Sequence, residues 1–247
     1  MWENRLEETP ELEERCKRVT ENLAVIRARI AQATAASGRR PEEIRLLAAT
    51  KTVPPAVMNY AFSQGVNLFG ENRVQEFLSK VDDLRLEGVE THFIGHLQQN
   101  KAKQIVGRVT TIQSVDSLRL AEEIGTLSMQ KDLVTDILLE VNIGEESAKF
   151  GFNAGNLLEN AKKVCEIPGI RLRGLMSIPP ICEVKEDVRK YFTILRQLLI
   201  DMRRETSDNN DIDTLSMGMS EDYYEAVLEG STMVRIGSAL FGARARN

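Results

Sequence analysis

Cysteine, histidine and tryptophan are scarce: three, two and one residues respectively in a chain of 247. Cys16, Cys165 and Cys182 are odd in number, far apart and never in a Cys-x-x-Cys pair. That excludes a disulfide framework and points to reduced thiols in a cytoplasmic protein. No His, Cys and Asp cluster has metal-ligand spacing, so no metal is expected. Apolar runs of the ~18 residues that span a bilayer are missing. The first eight residues hold three glutamates and no apolar stretch, so they do not read as a signal peptide, and no membrane partner is expected. A basic excess is missing too: 32 Lys and Arg against 37 Asp and Glu leave a net charge of −5, which gives no long-range pull on nucleic acid. The local cationic patch Lys101, Lys103 and Arg108 reads as a solvated helix face. A linker rich in Gly, Ser or Pro is absent, so residues 1–247 are expected to form a single domain.

What is present is a rhythm. Thr9 is placed to cap a first helix, with Pro10 in its first turn and Glu11, Glu13 and Glu14 at the positive end of its dipole. Apolar residues at Leu12, Cys16, Val19, Leu23, Ile26, Ile30 and Ala33 keep a 4,3 spacing until Ser37-Gly38 ends the run. About three heptads favour an amphipathic helix packed on its own domain over a coiled coil. After Pro41, short β-favouring segments recur at 44–49, 66–69, 92–94, 109–113, 136–142, 170–176, 213–216 and 233–236. Helix-period stretches lie between them at 56–64, 74–86, 98–106, 118–129, 156–166, 187–205 and 222–229. Gly65, Gly88, Gly107 and Gly230 stand where a helix must stop before the next strand. Alternating strands and helices imply parallel pairing with right-handed crossovers. Eight units in about 200 residues predict an α/β fold, a (β/α)8 TIM barrel with an extra N-terminal helix. A doubly wound open sheet is the alternative.

In such a barrel the chemistry collects where strands hand over to the loops that follow. Those positions are Thr50-Lys51-Thr52, Gly70-Glu71-Asn72-Arg73, Gly95-His96-Leu97-Gln98, Ser114-Val115-Asp116, Asn142, Met176-Ser177, Ser216-Met217-Gly218-Met219-Ser220 and Arg235-Ile236-Gly237-Ser238. The last two bring hydroxyls, glycines and backbone amides to the place where these barrels hold phosphate. The plainer reading makes Gly218 and Gly237 turn glycines, and Ser220 reads as a helix cap. Lys51 is either a strand-terminal lysine reaching solvent or an amine whose burial favours the neutral form that makes a Schiff base. An amine and a phosphate cradle in one ring match an aldehyde joined to a phosphate, which is what pyridoxal 5'-phosphate (PLP) presents. Arg235 is then placed to face the pyridine nitrogen. His92, inside a strand, reads as structural, His96 as surface or substrate contact, and Tyr223 and Tyr224 as packing.

Five segments carry a family resemblance. They are 46–53 (Leu-Leu-Ala-Ala-Thr-Lys-Thr-Val), 69–76 (Phe-Gly-Glu-Asn-Arg-Val-Gln-Glu), 92–101 (His-Phe-Ile-Gly-His-Leu-Gln-Gln-Asn-Lys), 215–220 (Leu-Ser-Met-Gly-Met-Ser) and 234–242 (Val-Arg-Ile-Gly-Ser-Ala-Leu-Phe-Gly). Through them the chain resembles the pyridoxal phosphate homeostasis protein family, single-domain relatives of the alanine racemase N-terminal barrel. Residues 119–132 show little of the family's signature. The resemblance implies a fold-type III PLP protein in which Lys51 bears the cofactor as an internal aldimine. It implies that Ser216, Gly237 and Ser238 hold the phosphate, that Arg235 faces the ring nitrogen and that Asn72 lies beside the ring. No catalytic residue is assigned. The implied role is a carrier or buffer in intracellular PLP homeostasis, a monomer whose partners are PLP itself and PLP-dependent apoenzymes. The alternative is a PLP-dependent amino-acid racemase or related enzyme of weak activity. Robust racemisation is not expected. A two-base racemase needs a proton acceptor on each face of the ring. Alanine racemase takes one of them from a second, β-rich domain that the segment after the eighth strand does not supply. A Schiff-base aldolase using Lys51 is a third reading.

Overall fold

Thr9 caps the first helix, its hydroxyl accepting from the Leu12 amide at 3.3 Å. That helix, α1 (Pro10–Ala36), opens a computed structural model that describes residues 9–146, 149–182, 184–206 and 212–242. Strand and helix then alternate: β1 (Arg45–Ala49), α2 (Pro55–Ser63), β2 (Leu68–Glu71), α3 (Val74–Lys80), β3 (Glu90–Phe93), β4 (Thr111–Val115), α4 (Leu118–Gln130), β5 (Thr135–Asn142), β6 (Phe152–Asn153), α5 (Leu157–Cys165), β7 (Ile170–Met176), α6 (Arg189–Glu205), β8 (Thr214–Ser216), α7 (Tyr223–Leu228), β9 (Met233–Ile236) and α8 (Ser238–Phe241). Helix-ending glycines behave as their positions require: Gly65 and Gly230 sit at φ of +83° and +100°.

Every pairing is parallel, in the order β1-β2-β3-β4-β5-β7-β8-β9. β9 returns to β1 with Leu46 opposite Val234 and Ala48 opposite Ile236, which closes the sheet into an eight-stranded barrel and rules out the open-sheet alternative. The two-residue β6 adds to the flank of β5. Closure creates two apolar regions. A small inner group, Leu47, Leu68, Ile94 and Met233 with Ala49, fills the barrel, and a much larger layer lies between the strands and the helices. α1 joins the outer layer through Val19, Leu23, Ile26, Ile30 and Ala33, against α2, α7 and α8. Asn22 donates from Nδ2 to the Leu240 carbonyl at 3.0 Å, tying α1 to the last helix. Tyr223 and Tyr224 pack beneath the Arg29 guanidinium, at 5.4 and 5.3 Å from the ring centres.

Two expected helices differ. The segment expected to be helical over 98–106 is a 3-10 stretch, Gln99–Gln104, followed by a turn from Ile105, and Ala102, Ile105 and Val106 are buried without an α-helix. Lys101, Lys103 and Arg108 therefore share no α-helical face. The helix expected over 74–86 stops at Lys80, and a 3-10 turn (Val81–Asp83) follows. No described helix is long and apolar enough to cross a membrane.

The docking of α1 is testable. Ile26 is 2% exposed and Val25, its neighbour, 65%. Ile26→Ala is expected to lower unfolding free energy by about 2–5 kcal/mol and Val25→Ala by less than about 0.5 kcal/mol, as read by denaturant melts. Equal small losses would show that α1 does not rest on the barrel.

Candidate functional site

Parallel closure gathers all the strand C-termini into one ring, and strand alternation decides which side chains face into it. Leu47 and Ala49 point into the barrel, and the same alternation brings Lys51, half-buried, to the rim just beyond β1. β9 lies beside β1, so the final loop starts next to Lys51. That approach depends on Gly237, where a Cβ would lie 3.1 Å from the Ala49 carbonyl oxygen. At the ends of β2 and β3, a Cβ on Gly95 would collide with the Asn72 carbonyl at 2.1 Å, so the glycine lets half-buried Asn72 sit against the neighbouring strand end.

Below the rim, Arg235 is buried inside the barrel, 4% exposed. Its Nη1 donates to the Ser216 carbonyl at 2.7 Å and to Ser216 Oγ at 2.8 Å, and Nη2 donates to the Ser177 carbonyl at 3.0 Å. Burial pushes Arg235 down to about 10, with Glu140 and Asp222 resisting, so the guanidinium stays charged at neutral pH. Ser216 Oγ in turn donates to Gln113 Oε1 at 2.6 Å, and Gln113 Nε2 lies 2.7 Å from His92 Nδ1. His92 is therefore a member of an interior polar chain, as its place in a strand implies, and burial lowers its basicity.

The resemblance places Ser216 on phosphate, yet its hydroxyl is engaged with Arg235 and Gln113, one layer below the rim. The hydroxyl at the rim is Ser220. Its Oγ accepts from the amides of Gly237 at 3.3 Å and Ala239 at 3.1 Å. The reading of Ser220 as a helix cap is thus corrected. Asp222 is the residue that precedes α7, its carboxylate accepting from the Met219 amide at 2.6 Å, and two loop amides need an acceptor that Ser220 supplies. Ser238, exposed, opens α8 in the same loop.

Across the ring from β1, Asp116 and His96 stand with Glu140, which the sequence did not single out. Glu140, on β5, is raised to about 7 by burial and by repulsion from Asp116, partly offset by Arg235. Asp116 Oδ2 lies 3.2 Å from His96 Nδ1, and the His96 ring stacks on Phe150 at 3.7 Å, so His96 is held by the rim rather than loose on the surface. A sequence signal for Glu140 existed: it shares β5 alternation with Leu138 and Asn142, a charged residue among inward positions. Nothing local marks Gln113, and Ser220 is marked only as one hydroxyl of the loop after β8. A groove of about 840 Å³ between α4 and α5, lined by Leu118, Met129, Ile167 and Pro168 among others, contains none of these residues. Among the described residues no group of three or more His, Cys, Asp and Glu side chains is set to hold a metal.

The barrel and its polar rim define a class, the alanine racemase N-terminal domain, whose family profile matches residues 17–245. A pyridoxal phosphate homeostasis protein of Aquifex aeolicus is 45% identical over 224 residues, 91% of this chain and 97% of that protein. One from Escherichia coli (strain K12) is 40% identical over 229 residues, 92% of this chain and 97% of the relative. Among solved structures, PipY of Synechococcus elongatus PCC7942 with PLP bound aligns at a TM-score of 0.79 and 30% identity, covering 91% of this chain and 100% of that one. The chain belongs to the pyridoxal phosphate homeostasis protein family, as the five segments implied.

Glu140 gives the site a measurable pH signature. Folded, its carboxyl holds a proton up to about 7, whereas unfolded it loses it near the ordinary 4.5. The fold therefore binds more protons in that window, and stability falls as pH rises through it. Glu140→Gln keeps the neutral shape, so it is expected to match wild type near pH 4 and to exceed it at pH 8 by roughly 1–3 kcal/mol in denaturant melts. A difference that does not change with pH overturns this assignment.

Proposed function

We propose that this chain binds PLP in its barrel mouth, held covalently by Lys51, and serves as a carrier or buffer in the intracellular upkeep of that cofactor. The observation that carries the reading is the convergence of the Gly237 and Ala239 amides on one oxygen beside the strand end that bears Lys51. PLP presents an aldehyde, a phosphate and a pyridine nitrogen, and the residues present fit all three. Lys51 offers the amine for the aldehyde. The loop of Gly237 and Ser238, whose Gly237 and Ala239 amides Ser220 Oγ holds together on one point, offers amides and hydroxyls for the phosphate. Arg235 faces the ring nitrogen, Asn72 lies beside the ring, and Ser216 supports Arg235 from below. The names of the relatives and the PLP seen in PipY support the same reading.

When bound, PLP supplies an electrophilic aldehyde and a π system that accepts electrons. The chain's own residues limit how far that system is used. A guanidinium that keeps its proton and is fixed by three hydrogen bonds does not protonate the ring nitrogen. The ring is then a weak electron sink, which suits retention better than turnover. The same reading makes the chain a monomeric, single-domain cytoplasmic protein that passes PLP to apoenzymes. The second reading, a racemase or related amino-acid enzyme of weak activity, is favoured by Glu140. β1 and β5 lie four strands apart in either direction round the barrel, so Glu140 offers a proton acceptor across the ring from Lys51. Steady conversion of L-alanine to D-alanine, lost in Lys51→Ala, would decide for it.

Borohydride treatment of the PLP-loaded protein is expected to fix the cofactor to the Lys51 peptide in mass spectrometry, and Lys51→Ala to abolish the adduct. An adduct on a different lysine overturns the assignment. Ser220→Ala is expected to weaken PLP retention by about 1–3 kcal/mol in absorbance titrations. Unchanged affinity would remove Ser220 from the phosphate site.

A further inference from the structure

Behind Lys51, on the outer side of the barrel between β1, β2 and α3, two charged side chains, Glu71 and Lys80, are buried beside half-buried Glu76. Glu71 is 1% exposed and Lys80 9%. Lys80 Nζ donates to Glu71 Oε1 at 3.1 Å, to Glu76 Oε1 at 2.6 Å and to the Thr50 carbonyl at 3.1 Å. Thr50 Oγ1 donates to Glu71 Oε1 at 2.6 Å, and Glu76 Oε1 also accepts from the Thr52 amide. Taking charged groups out of water costs more than packing apolar groups of similar volume, so such a cluster is weak evidence for stability as such. Its balance is poor for a purely structural device: two carboxyls share one ammonium, and Glu71 Oε2 is buried with no hydrogen-bond partner among the described residues. What the cluster does grip is specific. Its contacts end on the Thr50 carbonyl and the Thr52 amide, the peptide groups on either side of Lys51.

Thr52 shows why a grip is needed there. Its φ is +64°, in the left-handed region that a β-branched residue disfavours, and the turn that puts Lys51 at the rim runs through it. Resting on the reading of Lys51 as the covalent anchor, we infer that Lys80, with Glu71 and Glu76, is a positioning residue that holds the backbone of Lys51 in the turn aiming its amine into the barrel. The groups that Lys80 Nζ bonds are the Glu71 and Glu76 carboxylates and the Thr50 carbonyl, on the outer side of the strand end. Lys80 acts through backbone, by fixing one carbonyl with its own ammonium and one amide through the carboxylate of Glu76.

The test is the rate at which Lys51 acquires a borohydride-trappable PLP adduct, followed by peptide mass, with melting temperature read in parallel. Lys80→Met keeps the buried stem and removes the charge. It is expected to fold and to slow the reaction at Lys51 by about tenfold or more, since small displacements of a reacting group cost that much. Adding Thr52→Gly, a residue that adopts positive φ without strain, is expected to restore most of the rate. A purely structural role does not predict that rescue. If Lys80→Met does not fold, Glu76→Ala cuts the Thr52 contact at a less buried residue and is expected to slow the reaction in the same sense. A variant that folds and reacts at Lys51 as fast as wild type overturns the inference, as does a slowed Lys80→Met rate that Thr52→Gly leaves unimproved. Wild-type protein with no adduct at Lys51 would instead refute the proposed function, and this inference with it.

Discussion

A guanidinium inside a barrel must be solvated by protein, because no water shell surrounds it there and leaving it unpaired costs several kcal/mol. Arg235 meets that requirement with the carbonyls of Ser177 and Ser216 and the Ser216 hydroxyl, the ends of β7 and β8 beside its own β9. Three strand ends are thereby held in one register. Ser216 is drawn down to Arg235 and onward to Gln113 and His92, so the interior is crossed by a continuous polar chain. The rim above it is left to Ser220, Gly237 and Ala239. Layering of this kind separates support from contact: one serine holds the arginine, another meets the last loop.

The rim is also divided by charge. Lys51 and the amides of the final loop occupy one side, at β1 and β9, while Asp116 and Glu140 occupy the other, at β4 and β5. Field from Asp116 and loss of water both discourage ionisation of Glu140, and Arg235 between the two sides draws it back. A ligand carrying an anionic group and an electrophilic carbon finds complementary partners on the first side only. The mouth is therefore polar in direction as well as in composition.

Much of this was legible from residue order. The 4,3 spacing of Leu12 to Ala33 became a helix docked by that face, and strands at 170–176 and 233–236 were bounded as expected. Where the pattern misled, burial did not discriminate: Ala102, Ile105 and Val106 have helical spacing and are buried, yet the segment reaches that burial through a 3-10 stretch and a turn. The position of Lys51 at a strand end was readable, and so was the glycine of the final loop. The partners of each were not. Ser216 and Ser220 occur four residues apart in one polar loop, and no local pattern says which will turn inward to Arg235. Nothing local distinguishes Lys80 from any other helical lysine, and only the approach of α3 to β1 and β2 shows that its ammonium ends on the Thr50 carbonyl.

Periodicity and turn chemistry are properties of neighbouring residues, so the alternation of strand and helix, the barrel class and the polar strand ends follow from the chain alone. Closure is a different kind of fact. It sets side by side residues far apart in sequence: Arg235 with Ser177 across 58 positions, Ser216 with Gln113 across 103. Which hydroxyl serves the rim, which lysine is buried behind Lys51 and how strongly Glu140 holds its proton depend on those neighbours, because burial and hydrogen bonding are set by the space around a group rather than by its place along the chain.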